Sequence, residues 1–361
     1  MRIAVVGGGI NGVMSAWNLA EAGHEVELFE KDTLIGATSS ASTKLLHGGL
    51  RYLEQRRLRL VREGLTERAW WLRMAPQHTR RIELILPLYD NSPRSRLKFK
   101  AGLALYDWLA GGQGIGQHRW LAATELIRAA PQLNAAGLLG GFVFYDGQMN
   151  DRALGLWSAE RARELGVRFH ERTPVEKISL DGDVVFKGGE RKFDFVVNAT
   201  GPWAATLLER SHIASQYRLD LVRGSHLLFN GSLKVGFVLQ SPLDARICFA
   251  LPYENQTLVG TTEVLQSLAE PMRRSAEETC YLLAVYNRYF QNRKTEHDIA
   301  GSFSGLRPLV RTSAEPTRAS RECVIETNRR LVTVFGGKWT SSRALGQKVT
   351  RAILEGSLPM V

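Results

Sequence analysis

The sequence predicts a two-domain protein of the α/β class, with one parallel sheet and one largely antiparallel sheet. The N-terminal segment has the pattern of apolar strand, glycine turn, helix and second strand, and the C-terminal segment repeats strand, glycine turn and helix. Between them lie short runs that alternate apolar and polar residues, which is typical of antiparallel strands. With 361 residues, 44% hydrophobic and 23% charged, the chain is long enough for two cores.

The first element is a βαβ unit in the stretch RIAVVGGGINGVMSAWNLAEAGHEVELFEK. Gly7, Gly9 and Gly12 match the GxGxxG pattern between an apolar strand and a helix. Amides at the start of this helix are suited to a pyrophosphate, and Glu30, after the second strand, is suited to ribose hydroxyls. A carboxylate at this position repels a 2′-phosphate. The unit therefore predicts binding of NAD or FAD rather than NADP.

Two later glycine turns bear on the choice between NAD and FAD. The stretch FDFVVNATGPWA, 193–204, is an apolar strand that ends in a glycine turn. The stretch RLVTVFGGKWTSSRALGQKVTRAIL repeats strand, two glycines and helix, with Ser341 or Ser342 as the N-cap. The positive end of that helix and Lys338 would stabilise the negative charge that a reduced flavin carries near N1. Nicotinamide has no such need, so the sequence favours FAD.

The region 217–300 predicts the antiparallel sheet. The runs RICFALPY and QTLVGTTE alternate apolar and polar residues. The stretch SAEETCYLLAVYNRYF spaces Leu282, Val285, Tyr286 and Tyr289 at helical intervals, so we expect a helix that covers one face of this sheet.

Composition restricts the location and the partners. The cysteines at 248, 280 and 323 are far apart and form no CxxC pair, so we expect no metal site, no disulfide scaffold and a reducing, cytoplasmic compartment. No apolar run approaches the roughly 20 residues that span a bilayer. The net charge of +11 and the pI near 9.8 favour anionic partners. Because no RNA-binding motif is found, no nucleic acid partner is expected.

One basic and apolar segment has two interpretations. The stretch SPRSRLKFKAGLALYDWLAGG places Arg94, Arg96, Lys98 and Lys100 before an apolar run that contains a tryptophan. Such a segment is suited to an anionic bilayer, here the inner face of the cytoplasmic membrane, which would make the protein peripheral. It is equally consistent with a core helix whose first turn is cationic.

The stretch STKLLHGGLRYLE, 42–54, places a two-glycine hinge between His47 and the pair Arg51–Tyr52. Glycine allows a backbone to approach a ligand closely. The flanking hydrogen-bond donors indicate that the ligand is polar or anionic.

Six stretches spread over nearly the whole chain carry a resemblance to one family: GGGINGVMSAW, ATSSASTKLLHGGLRYLE, LVRGSHLL, LVGTTE, FSGLRPL and FGGKWTSSR. In them the chain resembles the FAD-dependent glycerol-3-phosphate dehydrogenase/oxidase family, within the larger D-amino acid oxidase-like group of flavoproteins. The resemblance implies a non-covalent FAD and oxidation of sn-glycerol 3-phosphate to dihydroxyacetone phosphate by hydride transfer from C2 to flavin N5. It also implies a quinone or oxygen as electron acceptor. Family members commonly carry a further C-terminal helical domain, which this sequence, ending at Val361, is expected to lack.

The resemblance also implies roles for individual residues. His226 is the first candidate for the base that takes the substrate hydroxyl proton, His47 is the second, and Arg307 would stabilise a developing alkoxide. The substrate phosphate and its carbon chain are expected to contact Arg51, Tyr52, Arg307, Arg321, Lys338 and Thr340. Besides the three glycines and Glu30 of the βαβ unit, the residues expected to contact FAD are Thr38, Ser39, Ser40, Lys44, His47, Gly48, Gly49, Val175, Thr200, Gly201, Trp203, Gly337, Lys338 and Thr340.

We expect a discontinuous FAD-binding domain formed by 1–76, 145–212 and 301–361, and a substrate domain formed by 77–144 and 213–300. Two other functions stay open. One is an FAD-dependent amine or 2-hydroxy-acid oxidase, in which arginine would hold a carboxylate. The other is a non-catalytic basic flavoprotein that binds RNA, for which the high pI is the support. The oligomeric state is not predicted.

Overall fold

The computed structural model describes residues 1–244, 246–311 and 323–356. Its strands are β1 (Arg2–Val6), β2 (Glu25–Phe29), β3 (Leu45–Leu46), β4 (Thr79–Tyr89), β5 (Arg119–Ala122), β6 (Leu138–Met149), β7 (Arg168–His170), β8 (Val175–Ile178), β9 (Asp183–Phe186), β10 (Gly189–Lys192), β11 (Phe195–Asn198), β12 (Leu219–Asn230), β13 (Gly236–Gln240), β14 (Ile247–Tyr253), β15 (Gln256–Gly260), β16 (Val264–Leu265), β17 (Ile299–Val310), β18 (Val324–Asn328) and β19 (Leu331–Phe335). Its α-helices are α1 (Ile10–Glu21), α2 (Leu58–Met74), α3 (Arg96–Ala110), α4 (Ala123–Ala129), α5 (Asp151–Glu164), α6 (Ala204–Arg210), α7 (Ala276–Tyr289) and α8 (Ser342–Gly356).

A six-stranded sheet in the described part of the chain has the order β18-β19-β11-β1-β2-β7. All its pairings are parallel except that of β18 with β19. Alternate residues of β1 enter two different cores, since Ile3 and Val5 pack with α1, α5 and α8, whereas Ala4 and Val6 pack with α6 and the three-stranded sheet β8–β10. Both faces of the sheet are therefore covered, which explains why its strands are almost wholly apolar.

The larger sheet, with ten described strands, is mostly antiparallel. Its path runs β16-β12-β15-β14-β13-β4-β6-β3, while β17 pairs with β12 and β5 pairs with β6. One face packs against α4 and α7. The opposite face packs partly against α3 and otherwise faces the ends of the parallel strands. The mixed α/β architecture predicted from the sequence is confirmed.

The division into two domains stays a prediction. Two strands from ranges assigned to the FAD-binding domain, β3 and β17, pair with the larger sheet, through β6 and β12. These two strands carry residues from one region of the sequence into the other sheet, so the chain passes repeatedly between the two sheets.

The basic and apolar segment forms α3. Leu103 and Tyr106 are buried on its inner face, whereas Leu97 and Trp108 are each 75% exposed on its outer face. The helix therefore joins the core and also presents apolar side chains to the surroundings. None of the helices in the described part of the chain is long and apolar enough to cross a membrane.

Candidate functional site

A cavity of about 810 Å³ lies between the two sheets. It is lined by the turns that follow β1, β2, β11 and β19, and by side chains of β12 and β17. Ligand sites in proteins are typically about 300–1,000 Å³ in volume, and in parallel sheets they lie beyond the carboxyl ends of the strands. The cavity therefore has both the size and the location of a binding site for a large cofactor.

The first glycine turn brings the backbone of β1 close to that of β11. Gly7 has φ +108°, and a Cβ there would lie 2.6 Å from the carbonyl oxygen of Ala199. A Cβ on Gly12 would lie 1.9 Å from the carbonyl oxygen of Gly7. The first turn of α1 contains no acidic residue, so the positive end of its dipole has no charged side chain of its own to compensate it. This cradle fits a pyrophosphate.

Glu30 follows β2 and is held in place before any ligand arrives. Its carboxylate accepts hydrogen bonds from the backbone N–H groups of Gly8, at 2.6 Å, and Asp32, at 2.9 Å. On the same wall, Nζ of Lys31 lies 3.7 Å from the centre of the Trp203 ring. The fixed carboxylate fits the ribose hydroxyls that the sequence predicts for it.

The turn after β19 forms the next part of the wall. Gly337 has φ +110°, and Trp339 donates from Nε1 to the backbone oxygen of Ser39 at 2.9 Å. Nζ of Lys338 lies 3.9 Å from the centre of the Tyr52 ring. Trp71, fully buried in α2, donates to the backbone oxygen of Thr340 at 3.0 Å. These contacts fasten the C-terminal turn to the segment 37–54 and to α2.

A buried polar cluster supports the two-glycine hinge. The N–H of Gly48 donates to the hydroxyl of Tyr106 at 2.8 Å and lies 3.3 Å from Oδ1 of Asp146. The carboxylate of Asp146 also accepts from Tyr106 at 3.0 Å and forms an ion pair with Arg68 at 2.8 Å. Burial raises the pKa of Asp146. Gly49, with φ +85°, then turns the chain so that the following short 3₁₀ turn reaches the cavity.

His226 is a buried, neutral imidazole at the cavity wall. Its Nε2 lies 3.0 Å from Oγ1 of Thr43, and its ring stacks on Phe303 with the centroids 4.7 Å apart. Nδ1 has no hydrogen-bond partner among the described residues. Burial, followed by the charges of Arg307 and Lys44, lowers the pKa of His226 to about 3. The imidazole is therefore uncharged at neutral pH and able to accept a proton.

Arg307 of β17 enters the cavity beside His226. Its Nη2 donates to the backbone oxygen of Thr262 at 2.7 Å, and its Nη1 lies 3.5 Å from Oε1 of Glu263. Arg51, from the 3₁₀ turn after the hinge, approaches the same carboxylate at 3.8 Å. The two guanidinium groups come from opposite ends of the sequence and meet at one side of the cavity.

The structure brings most of the expected site residues together around the cavity. The residues that line it are Gly7, Gly9, Glu30, Thr38, Ser39, His47, Gly49, Arg51, Tyr52, Val175, Thr200, Gly201, Trp203, His226, Arg307, Gly337, Lys338 and Thr340. The expected residues that do not line it are Gly12, Ser40, Lys44 and Gly48. Lys44 is buried, and its Nζ lies 2.7 Å from Oδ1 of Asp151 and 2.8 Å from the backbone oxygen of Ser40. Arg321 lies outside the described residues.

Several residues at the site were not predicted from the sequence. Thr43 and Lys31 line the cavity, but their contacts are with residues 183 and 172 positions away, so no local pattern predicts these contacts. Gly224 could have been found, because it stands in the stretch LVRGSHLL. A Cβ there would lie 2.7 Å from Nη2 of Arg307, so the glycine makes room for that guanidinium group.

The parallel sheet, the converging glycine turns and the cavity together define a dinucleotide-binding flavoprotein. A family model described as FAD dependent oxidoreductase matches residues 2–352, so the chain belongs to this family and is an FAD-dependent oxidoreductase. The prediction of FAD as cofactor is confirmed.

Named relatives place the chain more narrowly. It is 36% identical to a glycerol-3-phosphate dehydrogenase of Pseudomonas aeruginosa, over 96% of this chain and 70% of that protein. It is 35% identical to a D-erythritol 1-phosphate dehydrogenase of Brucella abortus, over 95% of this chain and 72% of that protein. The crystal structure of the glycerol-3-phosphate dehydrogenase of Bacillus halodurans complexed with FAD superposes with a TM-score of 0.79 at 26% identity. That alignment covers 99% of this chain and 64% of the solved chain, so the chain spans less than two thirds of that relative. The predicted family resemblance is confirmed.

Proposed function

We propose that the protein oxidises sn-glycerol 3-phosphate to dihydroxyacetone phosphate with FAD. The observation that carries the proposal is the pairing, in one cavity, of a neutral imidazole on His226 with the guanidinium groups of Arg51 and Arg307. A phosphate dianion is suited to guanidinium groups, and a secondary alcohol needs a base to take its proton as hydride leaves. The relatives named for glycerol 3-phosphate support the same substrate.

The chain's own residues fit the cofactor. The amides at the start of α1, between Gly7 and Gly12, would hold the pyrophosphate, and Glu30 would hold the ribose. The segment from Thr38 to Gly49 and the turn at Gly337 would enclose the ring system. When bound, FAD supplies the hydride acceptor at N5. The remaining work of the protein is to bind, orient and deprotonate the substrate.

Arg51 and Arg307 would bind the phosphate, with Lys338 adding a third positive charge to the same cavity. Binding of a dianion would offset the charge of Arg307, which is the second cause of the low pKa of His226. The pKa of His226 would therefore rise when the substrate arrives, and the imidazole would become a stronger base in the complex than in the free protein.

The proton of the C2 hydroxyl would reach Nε2 of His226 by way of Thr43. Thr43 lines the cavity, and its Oγ1 lies 3.0 Å from that nitrogen. The threonine hydroxyl can give its proton to Nε2 as it takes the proton of the substrate, so the relay needs no charged intermediate on threonine. His47 also lines the cavity and is the second candidate for the base.

Anaerobic mixing of the FAD-loaded protein with sn-glycerol 3-phosphate tests the proposal. We expect rapid loss of the flavin absorbance near 450 nm, and dihydroxyacetone phosphate in amounts equal to the flavin. A panel with D-erythritol 1-phosphate, D-amino acids and 2-hydroxy acids defines the substrate class. Bleaching by amino or hydroxy acids, with none by either phosphorylated polyol, would establish the oxidase alternative instead.

We also propose that the electrons pass to a quinone while the outer face of α3 rests on an anionic bilayer, which would place the protein at the inner face of the cytoplasmic membrane. Leu97 and Trp108 are each 75% exposed on that face, with Lys98 and Lys100 exposed between them. Apolar side chains among basic ones are suited to lipid head groups.

Sedimentation with vesicles tests this surface. We expect binding to vesicles that contain phosphatidylglycerol and weak binding to neutral phosphatidylcholine. The double variant Leu97→Ser/Trp108→Ser should bind the anionic vesicles at least tenfold more weakly, whereas Leu165→Ser, which changes an exposed leucine after α5, should bind like the wild type. Equal binding by all three proteins would exclude α3 as the contact. To identify the electron acceptor, the rate at which the reduced protein reduces a soluble quinone analogue is compared with the rate at which it consumes oxygen.

A further inference from the structure

Asp151, the first residue of α5, is fully buried behind the part of the cavity wall that residues 41–43 form. Its Oδ2 accepts hydrogen bonds from the backbone N–H of Ser42 at 3.0 Å and from the Ser42 hydroxyl at 2.7 Å. Its Oδ1 accepts from Nζ of Lys44 at 2.7 Å and from the N–H of Arg152 at 2.8 Å. One carboxylate on a helix therefore holds three donors of a short segment that lies 107 to 109 positions earlier in the chain.

The backbone of this segment has a conformation that its residues do not favour on their own. Lys44 has φ +60°, in the left-handed region that residues with a side chain rarely occupy. Its N–H donates to Oγ of Ser42 at 3.0 Å, and its backbone oxygen accepts from the N–H of Met149 at 2.9 Å. Such a conformation persists only where the surrounding structure fixes it. Asp151 supplies part of that restraint, because it holds Ser42 and Lys44 together.

Thr43 lies between the two anchored residues. It lines the cavity, and its Oγ1 lies 3.0 Å from Nε2 of His226. The imidazole is supported from another side by Phe303, on which it stacks, and Nζ of Lys44 lies 4.7 Å from the centre of that same ring. The pair Asp151–Lys44 therefore contacts both the segment that carries the threonine hydroxyl and the ring that supports the imidazole.

We propose that Asp151 is a positioning residue for proton transfer, which anchors Ser42 and Lys44 and so keeps the hydroxyl of Thr43 on Nε2 of His226. This inference rests on the proposed function, because it requires that the substrate proton passes through Thr43. In that step the C2 hydroxyl gives its proton to Oγ1 of Thr43 while Thr43 gives its own proton to Nε2, and Asp151 exchanges none. Proton transfer requires hydrogen-bond distance between donor and acceptor, so a carboxylate that fixes this distance affects the rate without contact with the substrate.

The first variant is Asp151→Asn, which keeps the shape of the side chain and replaces one accepting oxygen with a nitrogen that cannot accept. The rate of flavin bleaching is measured in a single turnover of the FAD-loaded protein with sn-glycerol 3-phosphate. We expect the rate at saturating substrate to fall about 10–100-fold. The half-saturating substrate concentration and the flavin content should stay within about twofold of the wild type, because the cavity arginines and the glycine turns are unchanged.

A double-mutant cycle with Thr43→Val tests whether Asp151 acts through Thr43. Valine keeps the shape of threonine without its hydroxyl, so this variant alone should lose about 10²-fold in the bleaching rate. Once the hydroxyl is absent, Asp151 has nothing left to position. The variant Asp151→Asn/Thr43→Val should therefore bleach within about twofold of Thr43→Val. A rate in the double variant that shows both losses multiplied would overturn the inference, because a general structural role predicts independent effects.

A second readout needs no turnover. In FAD-loaded protein labelled with ¹⁵N-histidine, the Nε2 resonance of His226 is assigned by its loss in His226→Gln. We expect this resonance to move in Asp151→Asn in the same direction as in Thr43→Val, since both changes remove the hydroxyl from the nitrogen. An unchanged resonance in folded Asp151→Asn would overturn the inference. Absence of bleaching in the wild type would refute the proposed substrate, and the resonance alone would then decide whether Asp151 positions Thr43.

Two further variants complete the design. Asp151→Asn leaves the buried ammonium of Lys44 without a carboxylate, which is destabilising, so Asp151→Ala/Lys44→Met removes both charges together. This double variant should show the same loss of rate and the same change in the resonance, and wild-type values for both would overturn the inference. Asp183→Asn is the matched control, because Asp183 also accepts from a serine hydroxyl, that of Ser179 at 2.7 Å, but lies on β9 and does not line the cavity. It should bleach at the wild-type rate.

Discussion

The two walls of the cavity recognise their ligands in different ways. The wall at the ends of β1, β2, β11 and β19 is built largely from backbone, with glycine turns and one carboxylate that is held by backbone N–H groups. The wall on the larger sheet is built from side chains. His226 and Arg307 project from neighbouring strands of this sheet, and Arg51 projects from the 3₁₀ turn after the two-glycine hinge. Recognition by the backbone restricts which residue types can occupy the glycine turns. Recognition by side chains depends instead on which strands are adjacent in the sheet.

The difference predicts how each wall responds to mutation. A side chain added at the glycine wall should remove the cofactor and with it all activity. A side chain removed from the larger sheet should spare the cofactor and affect substrate chemistry alone. The following variants test this contrast, beginning with the largest expected effect.

Gly12→Ala should cause the largest loss. Its Cβ would lie 1.9 Å from the carbonyl oxygen of Gly7, so the turn must move, at a cost of roughly 3 kcal/mol or more. We expect little bound flavin by absorbance and a lower melting midpoint. Gly102→Ala makes the same change in α3, where a Cβ would have no atom within 4 Å. That control should keep its flavin and gain about 0.5–1 kcal/mol of stability. Equal flavin content in the two variants would contradict the backbone cradle.

Arg307→Ala should lower kcat/KM for sn-glycerol 3-phosphate by about 10²–10³-fold while flavin content stays normal, because one charged donor is lost from the substrate wall. The measurement is steady-state kinetics beside the absorbance ratio of flavin to protein. Arg311→Ala is the matched control, since Arg311 follows the same strand but is 57% exposed and pairs with Asp220. A similar loss in both variants would show that the effect is not local to the cavity.

His226→Gln should lower kcat by about 10²-fold through loss of the proton acceptor. It should also change stability in acid. The pKa of His226 falls from 6.5 to about 3 on folding, so between these values the unfolded chain binds more protons and the folded protein loses stability as pH decreases. The wild type should therefore lose up to about 1.4 kcal/mol per pH unit more than the variant in this window. Melting midpoints from pH 7 to pH 4 would reveal the difference, and parallel curves would argue against a buried neutral imidazole.

Lys338→Met should have the smallest effect of this series. The ammonium group lies over the Tyr52 ring at the cavity, so its loss removes one of several positive charges and an interaction of about 0.5–2 kcal/mol. We expect KM to rise about threefold to tenfold and kcat to change less. Lys348→Met, on α8 and paired with Glu63, is the control and should leave KM unchanged. If KM stays constant in the Lys338 variant, that lysine does not contact the substrate.

The comparison also explains which parts of the site could be predicted from the sequence. The spacing of Gly7, Gly9 and Gly12 after an apolar strand predicts the pyrophosphate cradle directly, because few other turns have glycine at these three positions in this context. The roles of His226 and Arg307 came instead from resemblance to a family, and no spacing rule links them. The structure adds that they lie on the adjacent strands β12 and β17. Lys44 illustrates the limit, because neighbouring residues of its segment line the cavity but its own side chain pairs with Asp151.

The sequence by itself determined the α/β class, the glycine turns and the choice of a dinucleotide cofactor, because these follow from local patterns of apolar residues and glycine. Only the tertiary structure decided that Arg51, Arg246 and Arg307 approach Glu263, and that Thr43 lies within hydrogen-bond distance of His226 at the cavity wall. These contacts join residues 17 to 212 positions apart around Glu263, and 183 positions apart in the case of Thr43 and His226. Their geometry depends on strand pairing and on the path of the chain between the two sheets. Local propensity carries no information about either.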